Sequence, residues 1–275
     1  MEALKDQGYT ILESNDKIIV TPKEYKQTFI WMHELTGSAK SSLDIFCRDI
    51  KLIPKNTKLI FMQSPTIPVT VMKQMVPESN AWFDVYEFNL LEKGKINFKH
   101  VEESSAKVLK IIHDEAKLLK NRYSRIFIGG FSQGCALSIY TAFKLPQTLG
   151  GVIGVSGFLL PEININEYKS RSDIKFIITQ GKNDELLPLD ISKKSYEKLN
   201  VKDFDFTYIE IDNCKHEVNE VAIKEITKLI ELREKDYPLY EKLEENGYSI
   251  REYKDRIEAI PSNHLQTLIW MHHLT

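Results

Sequence analysis

Three cysteines in 275 residues are too few for a disulfide framework, and Cys47, Cys135 and Cys214 lack metal-ligand spacing. Net charge is −2, with both signs interspersed along the chain. That balance implies no polyanion partner. No basic stripe interleaved with aromatics marks a nucleic-acid surface. Nowhere does an apolar run approach the roughly 20 residues of a membrane span. The N-terminus carries no secretory pattern, and Met1-Glu2 is not a myristoylation start. The expectation is a cytoplasmic protein, with no cofactor and no nucleic acid, and at most transient membrane contact. Its length is ample for one large core with a fragment to spare.

What the chain does have is Gly130-Phe131-Ser132-Gln133-Gly134. The run before it, Arg125-Ile126-Phe127-Ile128-Gly129, reads as a buried strand. Cys135 to Phe143 has helical apolar spacing. A G-x-S-x-G turn between strand and helix strains the serine backbone and lifts its hydroxyl over the sheet edge. Ser132 is therefore a candidate nucleophile. A serine needs a base, and the base needs an acid to orient it.

In this arrangement the chain order is serine, acid, histidine. The strand Ile174 to Thr179 leads into a loop holding Asp184, the candidate acid. Glu185, Asp203, Asp205 and Asp212 compete for that role. The strand Phe204 to Ile211 leads into His216, the only histidine between Ser132 and the far C-terminal segment. His216 is therefore the candidate base. All three residues follow successive strands, where open α/β sheets place their ligand groups.

The rest of the pattern fits an α/β architecture. A short helix ends at Gly8, and a hairpin follows around Asn15-Asp16. Strands at 27–33 and 57–62 bracket a helical stretch near 40–49. Further helices are predicted over about 101–120, 191–199 and 218–233. Strands alternating with helices imply a mainly parallel sheet covered on both faces.

These residues resemble the phospholipase/carboxylesterase family of acyl-protein thioesterases and lysophospholipases. The resemblance runs from about residue 25 to about residue 235. It is carried by 130–134, by Gly181, Asp184, Pro188 and His216, and by Ser64-Pro65-Thr66-Ile67-Pro68-Val69-Thr70 with Ala81-Trp82-Phe83-Asp84. The last pair is similar to the family's Pro-Val-Thr and Trp-Phe-Asp signature. The resemblance implies an α/β-hydrolase fold and a serine esterase or thioesterase, with Ser132, Asp184 and His216 as its triad. Its substrate would be an acyl ester, an S-acylated protein or a lysophospholipid.

The oxyanion turn departs from the family. One donor should be the backbone N–H of Gln133. The family has His-Gly-Leu-Gly at the second; this chain has His33-Glu34-Leu35-Thr36. By position Leu35 supplies that N–H, with both glycines replaced and Glu34 expected to face solvent. The Met-rich loop 67–77, through Met72 and Met75, is expected to wall the acyl groove with Trp82 and Phe83, unless these residues, the two rings above all, close one end of the core instead. The altered turn also leaves a second reading open, a non-catalytic acyl-binding or interaction module.

The chain contains an internal repeat. Residues 2–36 align without gaps to residues 241–275, with about half the positions identical, including Ile30-Trp31-Met32-His33 and Ile269-Trp270-Met271-His272. The expectation is one hydrolase unit over 1–236 and, over 237–275, a linker and the truncated opening of a second tandem copy. The segment Gln266–His272 is expected to lack a sheet to join.

Overall fold

The computed structural model describes residues 2–171, 173–200, 204–235, 237–252, 256–261 and 268–271. A short helix α1 (Glu2–Asp6) precedes the hairpin β1 (Thr10–Glu13) and β2 (Lys17–Thr21). Then come β3 (Gln27–Met32), α2 (Ala39–Phe46), β4 (Thr57–Met62) and the small hairpin β5 (Thr66–Ile67) and β6 (Ser79–Asn80). The long helix α3 (Phe98–Leu118) is followed by β7 (Ile126–Phe131), α4 (Gln133–Lys144) and β8 (Gly151–Val155). The unit closes with β9 (Lys175–Gly181), α5 (Leu189–Asn200), β10 (Asp205–Ile211) and α6 (Glu220–Glu234).

Eight strands form one sheet in the order β1-β2-β4-β3-β7-β8-β9-β10. From β4 to β10 every pairing is parallel, whereas β2 pairs antiparallel with both β1 and β4. Side chains alternate across a strand. In β3, Phe29 and Trp31 enter one apolar cluster while Ile30 and Met32 enter the other. Both faces are buried, which is why β3, β4 and β7 read as continuous apolar runs rather than alternating ones. Helices α3, α4 and α5 cover the first face through Val108, Ile112, Leu137 and Tyr196. Helices α2 and α6 cover the second through Leu43, Phe46, Ile226 and Ile230. Side chains of Ser38, Asn97 and Asn219 cap α2, α3 and α6 by accepting backbone N–H bonds.

Because β3, β7, β9 and β10 are parallel, the segments after them leave from one edge. Those segments hold 33–37, Ser132, Asp184 and His216.

Residues beyond 236 do form a sheet, contrary to the expectation from sequence. After α7 (Tyr237–Glu245), strands β11 (Tyr248–Glu252), β12 (Arg256–Pro261) and β13 (Leu268–Met271) pair antiparallel. The hairpin register Glu252↔Ile257 repeats that of Glu13↔Ile18. The strand β13 is the sequence counterpart of β3, yet it pairs with β12 in the register that β4 holds on β2: Ile257↔Trp270 corresponds to Ile18↔Phe61. In the large sheet β4 separates β2 from β3; here β3's counterpart pairs directly. The counterpart residues 272–275 lie outside the described residues. Helix α7 is tied down by Arg122 and Arg125, which bond Glu241 at 3.2 and 2.6 Å. The Tyr237 hydroxyl donates to Gln27 Oε1 at 2.6 Å.

Candidate active site

Ser132 sits between β7 and α4 with φ 52° and ψ −114°, a strained conformation for a residue bearing a Cβ. Tight backbone packing holds it there. A Cβ on Gly134 would lie 2.2 Å from the Met32 carbonyl oxygen, and one on Gly130 would lie 2.4 Å from the Gly134 carbonyl carbon. Only glycine fits at those two approaches. The Ser132 side chain makes no capping bond to α4, so its hydroxyl is not consumed by the helix.

His216 Nδ1 lies 2.7 Å from Asp184 Oδ2. Asp184 is buried, and its carboxylate is held from several sides. It accepts from Gln180 Nε2 at 2.9 Å and from the backbone N–H groups of Leu186 and Leu187 at 3.0 and 2.8 Å. Burial pushes its pKa up, but the bonds from His216, Leu187 and Gln180 outweigh it and hold the pKa below the usual carboxylate value. The competing acids are engaged elsewhere: Asp205 pairs with Lys175 and Asp212 with Lys182. Glu185 is exposed on the same loop, and Asp203 lies outside the described residues. Gln180, buried at the end of β9, is a positioning residue the sequence reading did not identify. No motif marks it, and only the fold brings it under Asp184.

Ser132 and His216 line one cavity of about 570 Å³. Among the described residues no hydrogen bond joins the serine hydroxyl to the imidazole. Such contacts often close only once substrate is bound. Phe131 packs against the His216 ring, with centroids 4.7 Å apart.

The turn after β3 keeps a shape suited to glycine without having one at its key position. Gly37 N–H donates to the Glu34 carbonyl at 3.0 Å, and Thr36 takes φ 70° at the third residue of that turn. A left-handed residue there is where glycine is ordinarily found. His33 is fully buried, and burial pushes its pKa down to about 4. It is therefore neutral near pH 7, and its tautomer follows from its partners. Ser64 N–H donates to Nε2 at 3.1 Å, so the proton sits on Nδ1, which donates to the Glu34 carbonyl at 2.6 Å.

With that carbonyl held by two donors, the Leu35 N–H in the same planar peptide points the other way. Among the described residues it has no protein acceptor. Gln133 N–H is the first of α4 and has no intrahelical acceptor. Both belong to residues that line the cavity. The Gln133 side chain clamps the Trp82-Phe83 segment, accepting from Trp82 N–H at 2.7 Å and donating to the Phe83 carbonyl at 2.8 Å.

Glu34 does not face solvent as expected. It is half-buried and lines the cavity, and burial raises the pKa of its carboxyl. Of the predicted groove residues, Met72 and Phe83 line the cavity, beside Val85, Phe88, Leu90 and Phe158. Trp82 does not. Its indole N–H donates to the His33 carbonyl at 2.8 Å, which holds it behind the turn. Met75 lies past the short helix 70–72, 73% exposed and off the cavity wall. A second cleft, of about 690 Å³, opens between 120–124 and Glu244–Ile250, but it is polar and holds none of these residues.

A serine on a strained strand-to-helix turn and an acid–histidine pair at the same edge of a parallel sheet define an α/β-hydrolase. The phospholipase/carboxylesterase family model matches residues 14–233. The chain belongs to that family and hydrolyses acyl esters. It is 31% identical to an acyl-protein thioesterase 1 of Schizosaccharomyces pombe, over 67% of this chain and 80% of that protein. It is 28% identical to one of Candida albicans, over 74% and 91%. The crystal structure of Zea mays acyl-protein thioesterase 2 superposes with a TM-score of 0.62 at 22% identity, covering 80% of this chain and 99% of that one. Arabidopsis thaliana SOBER1 gives 0.63 at 22% identity, covering 75% and 98%. Among the described residues no helix is long and apolar enough to cross a membrane.

Proposed function

We propose that Ser132, Asp184 and His216 form a catalytic triad that hydrolyses acyl thioesters and esters, with S-acylated proteins or lysophospholipids as substrates. The observation that carries this reading is the 2.7 Å His216–Asp184 contact at the wall of a cavity that also holds Ser132 and an apolar flank. His216 Nε2 takes the Ser132 proton as the serine oxygen attacks the acyl carbonyl. The oxyanion is received by the Leu35 and Gln133 N–H groups. Collapse expels the thiol or alcohol, which takes the proton from His216. Water, activated by the same imidazole, then releases the fatty acid. Met72, Val85, Phe88 and Leu90 bury the acyl chain.

A fluorophosphonate label tests the reading. The native chain is labelled and Ser132→Ala is not. An unlabelled native chain would instead support an acyl-binding module, the reading favoured by the substituted residues of the 33–36 turn.

Residues 237–275 are, in our reading, the opening elements of a second copy of the unit. The sequence repeat and the shared hairpin register support it. The three unpaired thiols fit a reducing compartment such as the cytoplasm.

A further inference from the structure

The catalytic cavity is lined by two carboxylates, Glu34 and Glu185, and by no lysine or arginine. Among the described residues neither carboxylate has a cationic side chain within ion-pair distance. Glu185 is exposed, so water screens it, but Glu34 is half-buried. A partly desolvated carboxylate without a cation is unfavourable, and a ligand can supply what the protein does not.

The position of Glu34 is specific. Its carboxyl lies over Gly37, where a Cβ would come within 2.6 Å of Cδ and 2.7 and 2.8 Å of the two oxygens. The missing side chain at 37 makes the berth. From there Glu34 interacts electrostatically with His216. Glu185 lines the same cavity and follows Asp184, the partner of His216. The imidazole delivers its proton to the departing group. A carboxylate beside that imidazole sits where the leaving group departs, whereas Met72, Val85 and Phe88 offer the acyl chain an apolar wall.

We propose that Glu34, assisted by Glu185, selects acyl esters and thioesters whose leaving group carries a positive charge close to the scissile bond. This rests on the assignment of Ser132 as nucleophile. The shared chemistry is a cation beside the departing sulfur or oxygen. It is met by a lysine or arginine next to an acylated cysteine, or by a quaternary ammonium alcohol.

The test compares kcat/KM at low salt for S-octanoyl cysteine peptides flanked by Lys, Gln or Glu. A second arm compares octanoylcholine with its uncharged isostere, the octanoyl ester of 3,3-dimethylbutanol. The native protein is expected to favour the cation over the anion, or over the isostere, by roughly tenfold in at least one arm. The arm that responds identifies the source of the cation. Glu34→Gln is expected to reduce that ratio to about twofold or less. Gly37→Ala, which keeps the carboxylate but takes its berth, is expected to give an intermediate ratio. Should Glu34→Gln not fold, the native ratio must still shrink as salt rises from roughly 0.02 to 0.5 M. A native enzyme with no charge preference in either arm, or a preference unchanged in Glu34→Gln, overturns the selection while leaving the triad standing. A chain that hydrolyses none of the substrates overturns both.

Discussion

His33 Nδ1 lies 2.6 Å from the carbonyl oxygen of its own neighbour, Glu34, and so fixes the direction of the next N–H. We expect His33→Ala to lower kcat by about 10- to 100-fold with little change in KM. An oxyanion donor lost outright typically costs on the order of 10²–10³, and here it is misdirected rather than removed. A KM rise with kcat intact would show that the imidazole acts on binding instead.

The same histidine makes stability depend on pH. Its folded pKa, about 4, is below the ordinary 6.5, so the unfolded chain takes up the proton first. The stabilisation is fully present above about pH 6.5 and is lost as pH falls towards 4. The linked energy is about 3 kcal/mol. Thermal midpoints measured across this window should fall on acidification, and less steeply in His33→Asn.

Asp184→Asn tests the acid. The substitution keeps the shape but removes the charge that orients His216, and a comparable change elsewhere costs about 10⁴ in kcat. We expect a loss of about 10³–10⁴ with the melting temperature lowered only modestly, because the remaining oxygen can still accept from the Leu186 and Leu187 N–H groups. Loss of folding alone would point to a structural role.

Thr36 occupies a left-handed conformation at φ 70°. Thr36→Gly removes a strain of about 1–2 kcal/mol and adds back about 0.5–1 kcal/mol of unfolded-state entropy. The expected gain, read by urea denaturation, is about 0.5–1 kcal/mol. A net destabilisation would mean that the threonine side chain contributes to the turn.

Met72 lines the cavity and Met75 does not. Across p-nitrophenyl esters from acetate to decanoate, Met72→Ser should shift the preference towards short chains, and Met75→Ser should leave it unchanged. An unaltered profile in Met72→Ser removes that side chain from the groove.

Much of the fold was legible because its signals are local. Apolar strand runs such as Phe29–Met32 and Ile126–Ile128 need burial on both faces, and that requirement shows in the sequence. The glycines around Ser132 are demanded by backbone contacts within one strand-to-helix turn. Asp184 was the first of several candidate acids by its place after a strand, but its choice over Asp205 and Asp212 was not local. Each of those finds a lysine across the sheet edge instead.

The groove and the turn were less legible. Between groove wall and core, both open to Trp82 from sequence, the fold selects the core, with the indole N–H spent on the His33 carbonyl. The orientation of Glu34 depends on an empty position three residues away.

Taken alone, the sequence determined the order of strands and helices up to residue 236 and the strained serine turn, since each follows from periodicity or backbone geometry within a short window. Tertiary structure alone decided which acid meets His216, where Gln180 and Glu34 point, and which strand of the repeat pairs with which. Those outcomes depend on distances between segments far apart in the chain. A carboxylate or an edge strand takes the partner that packing brings nearest, and no local pattern records that choice.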